Sequence, residues 1–496
     1  MGSGKDFSEK LVSYLKEKGF VYGPEPEIYN GLAGFYSYGP LGKRLKNNIE
    51  KVIREYFNAE SFYEVEFPIV SPAIVWKASG HLDGFNDPII FTEDGKESYR
   101  ADKLLEEMAN VEGANHLSDA ELLKLLKEKN VKAPGGKKLA LKIERFSLMM
   151  KTTVGKDTEA YNRPETATTT YLSFKNYVNF FRDKLPFGVF QIGKAFRNEI
   201  SPRQHLLRSR EFTQAESQTF LFPEMKKKWP AFEEAKKEKL PLWTEAAQKK
   251  SGKPEKIPLE DAISKKILKN EAFAWHLYFA HKLFLGFGIP EEKIRLRQHF
   301  ADERAFYSDD TWDLEVELNS FGWVEVCGIS DRTDYDLKQH SKFSNENLVA
   351  RTQDGKEETP HVIEVAFGVD RPFFALLDLS FGERVEDEKR TLMKFSAKMA
   401  PIQIGIYPLV KKDGLAEKAS GIYRKLAKKF LCIYDESGSI GRRYARQDSV
   451  GTPYGITIDY ETMEKDTVTL RDRDSMGQER VKVSEIEEIL EGKLNG

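Results

Sequence analysis

The chain has 496 residues, 40% of them hydrophobic and 31% charged, with a formal net charge of -2. That length exceeds what one core can hold and predicts two or three domains. The balanced charge excludes a wholesale polyanion binder but leaves room for one basic face. Two cysteines, Cys327 and Cys432, exclude a disulfide framework or a Cys-rich zinc site and fit a reducing compartment. No apolar run approaches a membrane span, and the start "MGSGKDFSEK" carries no apolar signal core, so a cytoplasmic protein without a membrane segment is expected.

Residues 6–18 repeat Phe7, Leu11, Val12 and Leu15 at helical spacing, with Gly19 as a stop. "LGKRLKNNIEKVIREYF", 41–57, repeats the pattern through Leu41, Leu45, Ile49, Val52 and Ile53. The alternating segment "SFYEVEFPIVSP" that follows reads as an edge strand ending at Pro72. A long helix feeding such a strand suits either a dimer interface or packing on its own sheet. Two Lys/Glu-rich stretches, about 103–145 and 222–270, read as helical insertions with solvated faces.

Between and after these stretches come grouped, alternating strand segments: "PFGVFQIGKAFRNE", "REFTQAESQTFLF", "GWVEVCGISDRTDYDL" and "HVIEVAFGVDRPFFALL". Grouping of this kind predicts an α+β fold with an antiparallel sheet. From Pro401 strands and helices alternate, which predicts a separate α/β domain over 400–496 with a βαβ beginning. The catalytic part is then 1–395, with a linker near 385–400.

One stretch, "FRNEISPRQHLLRSREFTQAE" (196–216), carries four Arg and three Glu, yet both ends read as half-buried strand. Side chains alternate across a strand. Arg197 and Glu199 therefore share a face with Val189, Gln191 and Gly193, and Arg210, Phe212, Gln214 and Glu216 share one on the return strand. Paired antiparallel, they make a platform with a cation for phosphate, an acceptor for an amino group and an aromatic ring for stacking. The Arg-rich connection between them is long enough to close over a triphosphate. Taken alone, the ribbon equally fits a surface hairpin with cross-strand ion pairs.

Three other segments favour the site. "RPETAT" sets Glu165 before a helical run. "HVIEVAFGVDRPFF" sets Glu364 on a strand and Arg371 at a helix start, where the dipole favours anions. "WVEVCGISDR" sets Glu325 between Val324 and Val326, where a carboxylate needs a partner or a metal.

At these residues the sequence closely resembles the class II aminoacyl-tRNA synthetases, specifically the homodimeric glycyl family. "SPAIVWKASGHLDGF" is similar to the first class II motif, "FRNEISPR…LLRSREFTQAE" to the second and "VIEVAFGVDR" to the third. "YRADKLLEE", "RPETA", "WVEVCGISDRTDYDL" and "DESGSIGRRYARQDSVGTPYGITID" are further family stretches. The C-terminal domain resembles the class IIa anticodon-binding domain.

The resemblance implies ATP, Mg2+, glycine and tRNA(Gly) as ligands, a homodimer, and activation of glycine as its adenylate before transfer to tRNA. It implies a nucleotide site of Arg197, Asn198, Glu199, Leu207, Arg208, Arg210, Phe212, Glu325, Val326, Gly368 and Arg371. Arg197, Glu199 and Arg371 are the catalytic group, and Glu325 is the metal ligand. It implies a glycine site of Arg100, Glu165, Phe212, Thr213, Gln214, Ala215, Glu216, Glu364, Ala366 and Gly368, and anticodon contacts from Arg442, Arg443 and Arg446. Thr168 and Thr169 stand where the family commonly has Gln-Gly, and Ala366 where it often has Ser. The two insertions are expected to touch the acceptor stem, so that deleting 225–265 would raise KM for tRNA. A synthetase for threonine, proline or histidine, and a non-enzymatic accessory subunit, are the competing readings.

Overall fold

A computed structural model of the chain describes residues 2–495, apart from 112, 115, 116, 201, 203, 204, 306 and 385–389. Its centre is a nine-stranded sheet. In chain order the strands are β1 (Tyr63–Glu64), β2 (Phe187–Phe196), β3 (Glu211–Leu221), β4 (Lys239–Trp243), β5 (Glu255–Pro258), β6 (Ile294–Gln298), β7 (Asp310–Leu318), β8 (Gly322–Thr333) and β9 (His361–Gly368). They lie in the spatial order β5-β4-β6-β7-β8-β9-β3-β2-β1. Pairing is antiparallel except at β1–β2 and β4–β6.

The register sorts the two faces. Gln191, Gly193 and Ala195 of β2 lie opposite Glu216, Gln214 and Phe212 of β3. Gln214, Glu216 and Gln218 in turn lie opposite Gly368, Ala366 and Glu364 of β9. This face is polar. Phe190, Ala215, Val365, Phe367 and Ile329 point the other way, into the largest hydrophobic cluster.

Two helices close that cluster. The helix α2 (Pro40–Ala59; α1 is Gly2–Glu17) buries Leu45, Ile49, Val52, Ile53 and Phe57. The helix α3 (Glu271–Gly286, "EAFAWHLYFAHKLFLG") is apolar nearly all round because it is enclosed on nearly all sides. One face of the sheet is thus hydrophobic throughout, whereas the other is polar around Gln214, Glu216 and Glu364 and carries a second hydrophobic cluster further along, where Phe187, Val189, Phe220 and Val362 pack against Tyr171, Phe174 and Tyr177.

The expected helices at 6–18 and 41–57 form, whereas 61–72 pairs only as β1 and as Val70–Pro72, because Pro68 interrupts it. The first insertion contains the expected helices, Ala101–Ala109 and Asp119–Glu128, the latter capped by Ser118 and Glu121. It also contains a strand, Leu139–Ser147, which pairs with Asn86–Thr92 over a small core of its own. Residues 112, 115 and 116 of this stretch lie outside the described residues.

The 222–270 stretch differs from expectation. It contributes β4 and β5 to the central sheet and buries Trp229, Phe232, Leu240, Leu242 and Leu259 in the main core. Its lysines masked two short strands, of five and four residues. Deleting 225–265 would therefore strip the sheet edge rather than test tRNA contact alone.

The C-terminal domain forms a five-stranded sheet with its own core. Its strands are β10 (Ile404–Pro408), β11 (Cys432–Tyr434), β12 (Tyr454–Ile458), β13 (Thr467–Asp472) and β14 (Gln478–Lys482), in the order β11-β10-β12-β13-β14. The expected βαβ beginning is present: β10 pairs in parallel with β11 and β12. Of the expected linker, 385–389 lies outside the described residues. The remainder is packed: Arg390–Met393 is a strand against Phe381–Arg384, and Phe395, Met399 and Ala400 are buried.

Candidate active site

A cleft of about 450 Å³ opens on the polar face. Arg197, Glu199, Leu207, Arg208, Phe212, Gln214, Val326, Gly368 and Arg371 line it, with Glu325 and Ala366. Arg197 follows the last paired residue of β2, and its N–H still reaches the Arg210 carbonyl at 2.9 Å, so it keeps the strand's alternation. Its guanidinium donates to the Pro164 carbonyl at 3.1 Å and lies 5.4 Å from the Phe212 ring centroid and 5.5 Å from that of Phe85. Arg371, in the first turn of α4 (Asp370–Ser380), donates to the Glu325 backbone carbonyl at 2.8 Å and carboxylate at 2.9 Å. The Arg371 charge holds the Glu325 carboxyl below its ordinary range. One guanidinium thus lies against a stackable ring, and a second lines the same cleft.

Glu199 is buried and pairs with Arg208 at 3.0 Å. Arg210 donates to the carbonyls of Glu199 at 2.7 Å and Ala33 at 2.9 Å, so it clamps the loop rather than lining the cleft. Asn198 is held through its backbone to the Leu148 carbonyl. The expectation that the connecting loop closes over phosphates falls partly on Ser201, Arg203 and Gln204, which lie outside the described residues.

Beyond Gln214 the same face carries two buried acids, Glu216 and Glu364, with the partly buried Glu165 of a loop beside them. Glu216 accepts from the Thr166 N–H at 3.1 Å and hydroxyl at 2.6 Å. Glu165 accepts from the Thr168 hydroxyl at 2.7 Å and lies 3.4 Å from His81 Nε2. Glu364 accepts from Gln218 at 3.0 Å and Tyr171 at 3.3 Å, and lies 3.4 Å from Arg332. Arg332 itself is committed to Asp336 at 2.8 and 2.9 Å.

Burial, with the charges of Glu364 and Glu165, pushes the Glu216 carboxyl well above its ordinary range, and burial likewise raises Glu364. Burial alone would raise Glu165 too, but His81, Arg332 and Thr168 outweigh it and hold it low. The acids outnumber the cation among them, so the cluster favours a guest that brings positive charge.

The cleft and the acid cluster bring together most of the positions named from the sequence. Thr213 and Ala215 are not among them: strand alternation turns their side chains to the opposite face, where Ala215 is core and Thr213 meets Lys46. Arg100 stands apart from the acid cluster, paired with Asp87 at 3.1 Å and Asp102, and lines a second cavity of about 320 Å³ beside Glu199 and Arg208. Arg443 is buried and donates to the carbonyls of Pro408, Glu436 and Gly438. It secures its helix, α5 (Ile440–Val450), and offers nothing to a nucleic acid. Arg446 is exposed but paired with Asp435, and Arg442 is exposed.

Sequence reasoning missed His81, Arg332 and Arg163, although "SGHLDGF", "GISDR" and "RPETA" contain them. Nothing in spacing marks an Arg as the partner of distant acids. Arg163 explains Gly193: a Cβ there would fall 2.1 Å from its guanidinium, which crosses the strand to reach Gln191 and the Lys194 carbonyl.

Similarity to known proteins agrees with this geometry. The family described as "tRNA synthetase class II core domain (G, H, P, S and T)" matches residues 151–379, and "Anticodon binding domain" matches 403–493. A Giardia lamblia prolyl-tRNA synthetase solved in complex with prolyl-adenylate aligns with a TM-score of 0.64 over 99% of this chain and 80% of that one. At 14% identity it is a likeness of fold alone. The glycine–tRNA ligase of Pyrococcus furiosus is 39% identical over 99% of this chain and all of its own. That of Methanothrix thermoacetophila is 37% identical over 99% and 98%. Since the glycine–tRNA ligase of Pyrococcus abyssi also matches at 39% identity over the whole of both chains, this chain belongs to the glycine–tRNA ligase family.

Proposed function

We propose that the cleft holds ATP against Phe212, Arg197 and Arg371 while the acid cluster holds glycine, so that the glycine carboxylate attacks the α-phosphate in line. The overall reaction, ATP-dependent ligation of glycine to tRNA, is that of the family. The residue roles are those the family resemblance implies, and the shared cleft supports them. Arg197 stabilises charge developing on the α-phosphate, and Arg371 covers the adenine and reaches the terminal phosphate. Glu199 accepts from the adenine amino group. No side-chain nucleophile is needed, because positioning and fixed charge lower the barrier.

Glu325 suits Mg2+: its carboxylate is half exposed beside the two arginines, and this ion takes one or two carboxylates with substrate phosphates. When bound, the ion neutralises phosphate charge. Glu165, Glu216 and Glu364 hold the glycine ammonium. A missing methyl is worth only about 1–3 kcal/mol to a pocket, so alanine must be excluded by clash. Transfer to the terminal adenosine of tRNA follows, with exposed Arg442 and Arg446 as candidates for anticodon contact.

A second copy is inferred from Tyr63, Ile69, Val70, Ile74, Leu172 and Phe180, apolar side chains exposed around the sheet edge at β1. A monomeric mass in sedimentation would remove it. A cytoplasmic location fits the two unpaired cysteines and, among the described residues, the absence of a helix long and apolar enough to cross a membrane.

The observation that carries the reading is a cleft lined by two guanidinium groups and a ring, Arg197, Arg371 and Phe212, next to the acids Glu216, Glu364 and Glu165. Pyrophosphate exchange measured with each of the twenty amino acids tests it. Exchange with glycine alone is expected. Exchange with another amino acid, or none at all, sinks it.

A further inference from the structure

Beneath the platform, on the hydrophobic side, sits a buried cation that the proposed chemistry does not use. Lys46 lies on α2 and is 3% exposed. Its Nζ donates to the Thr213 hydroxyl at 2.6 Å and to Asp370 Oδ1 at 3.1 Å, and lies 4.1 Å from the Tyr38 ring centroid. The other oxygen of Asp370 accepts from the Thr213 N–H at 2.9 Å, and the Val369 N–H donates to the Thr213 carbonyl at 2.7 Å. Four hydrogen bonds therefore join one residue of β3, the start of α4 and one lysine of α2.

The placement matters because of the neighbours. Thr213 stands between Phe212 and Gln214, and Asp370 immediately precedes Arg371. On the proposed reading these neighbours supply the two walls between which adenine stacks. Near the cleft floor the β3–β9 ladder ends at Gln214–Gly368. Beyond it, the turn at Val369, this brace and the Arg371 bonds to Glu325 set the gap between ring and guanidinium, and of these only the brace ties α4 to the residue next to Phe212 through α2. An ion taken out of water is costly, and breaking such a pair is more costly still, so a cation in this core calls for a purpose that a leucine would not serve.

We infer that Lys46 is a positioning residue that sets the spacing of Phe212 and Arg371, and so the affinity and alignment of the nucleotide, from the opposite side of the sheet. The inference rests on the reading of the cleft as the ATP site. It makes α2, otherwise a packing helix, part of the nucleotide site's support. Small displacements of reacting groups can cost on the order of 100-fold in rate, which sets the size of effect to look for.

The test is glycine-dependent pyrophosphate exchange on the full chain. Wild-type exchange tests the underlying reading independently. In Lys46→Met, KM for ATP is expected to rise on the order of tenfold or more and kcat to fall, with KM for glycine changing much less. The comparison variant is Asn48→Ala on the same helix, which loses bonds to the carbonyls of Met399 and Ala400, neither of which lines the cleft. It is expected to lower Tm without moving KM for ATP.

Because Lys46→Met leaves Asp370 unpaired, the double variant Lys46→Met/Asp370→Asn carries the test if the single one does not fold. It should regain Tm while KM for ATP stays raised. Wild-type KM for ATP in the folded double variant, or a Lys46→Met effect confined to Tm, would overturn the proposal.

Discussion

Two regions of the molecule bury clusters of opposite charge, and they do so to opposite ends. At the junction with the C-terminal domain, Asp448 is gripped by Arg384 at 2.9 Å and by Arg471 at 3.0 Å through both of its terminal nitrogens. Arg473 beside them gives its terminal N–H groups to the Gly451 and Phe395 carbonyls at 2.8 Å, and Arg384 reaches the Arg473 carbonyl at 2.6 Å. Charges there are matched by partners within the fold. On the platform, Glu364 lies 3.4 Å from an Arg332 already engaged by Asp336, Glu165 lies 3.4 Å from His81, and Glu216 accepts from Thr166. Burial of charge is therefore not by itself a mark of function. What separates the two regions is whether the fold supplies the counter-charge or leaves it to a ligand.

If that contrast is right, the two regions should fail in different currencies. The largest expected effect is on the platform side. Arg197→Met should lower glycine-dependent pyrophosphate exchange by on the order of 10²–10³-fold, as for other groups that stabilise a developing anion, with little change in Tm. An equal loss of Tm and rate would place Arg197 with the junction arginines.

Next, Asp448→Asn should cost about 3–5 kcal/mol of stability in urea unfolding, since it leaves two arginines buried without their partner. Exchange by the molecules still folded should be unchanged. A loss of exchange at full folding would mean that the junction reaches the cleft.

The smallest effect sharpens the contrast on a single acid. Glu216 has its carboxyl raised in the fold, so its protonated form stabilises the ligand-free protein below the ordinary value of about 4.5, and that stability is lost as pH rises through the raised value. Wild type without glycine should therefore lose stability as pH climbs above 4.5, and Glu216→Gln should flatten the curve. Binding an ammonium favours the ionised acid, so glycine should bind more tightly as pH rises through the same window, with a proton released. Calorimetry in buffers of different ionisation heat checks the proton. A glycine affinity independent of pH would show that Glu216 is already ionised.

Much of this was visible in the chain before folding. Alternation along "VFQIGKAFRNE" and "REFTQAE" put Arg197, Phe212, Gln214 and Glu216 on one face, and the β2–β3 register bears it out. The same rule, applied to Thr213 and Ala215, removes them from the glycine site to which the family resemblance had assigned them. The lysines of 222–270 hid two strands, because charge at the ends of a short strand says nothing about its middle. Arg443 shows the limit from the other side: a basic helix face reads the same whether its arginines meet solvent or backbone carbonyls.

The amino-acid sequence alone determined the α+β class, the two-part organisation, the polar face of the sheet and most of the groups that stand on it. Those follow from local periodicity, which a chain carries in itself. Only the tertiary structure decided which charges are answered. Lys46 under the platform, His81 beside Glu165 and Arg332 beside Glu364 come from segments tens to hundreds of residues away from the groups they meet. Electrostatic energy depends on separation in space and on burial, and neither distance nor burial is written in the order of residues.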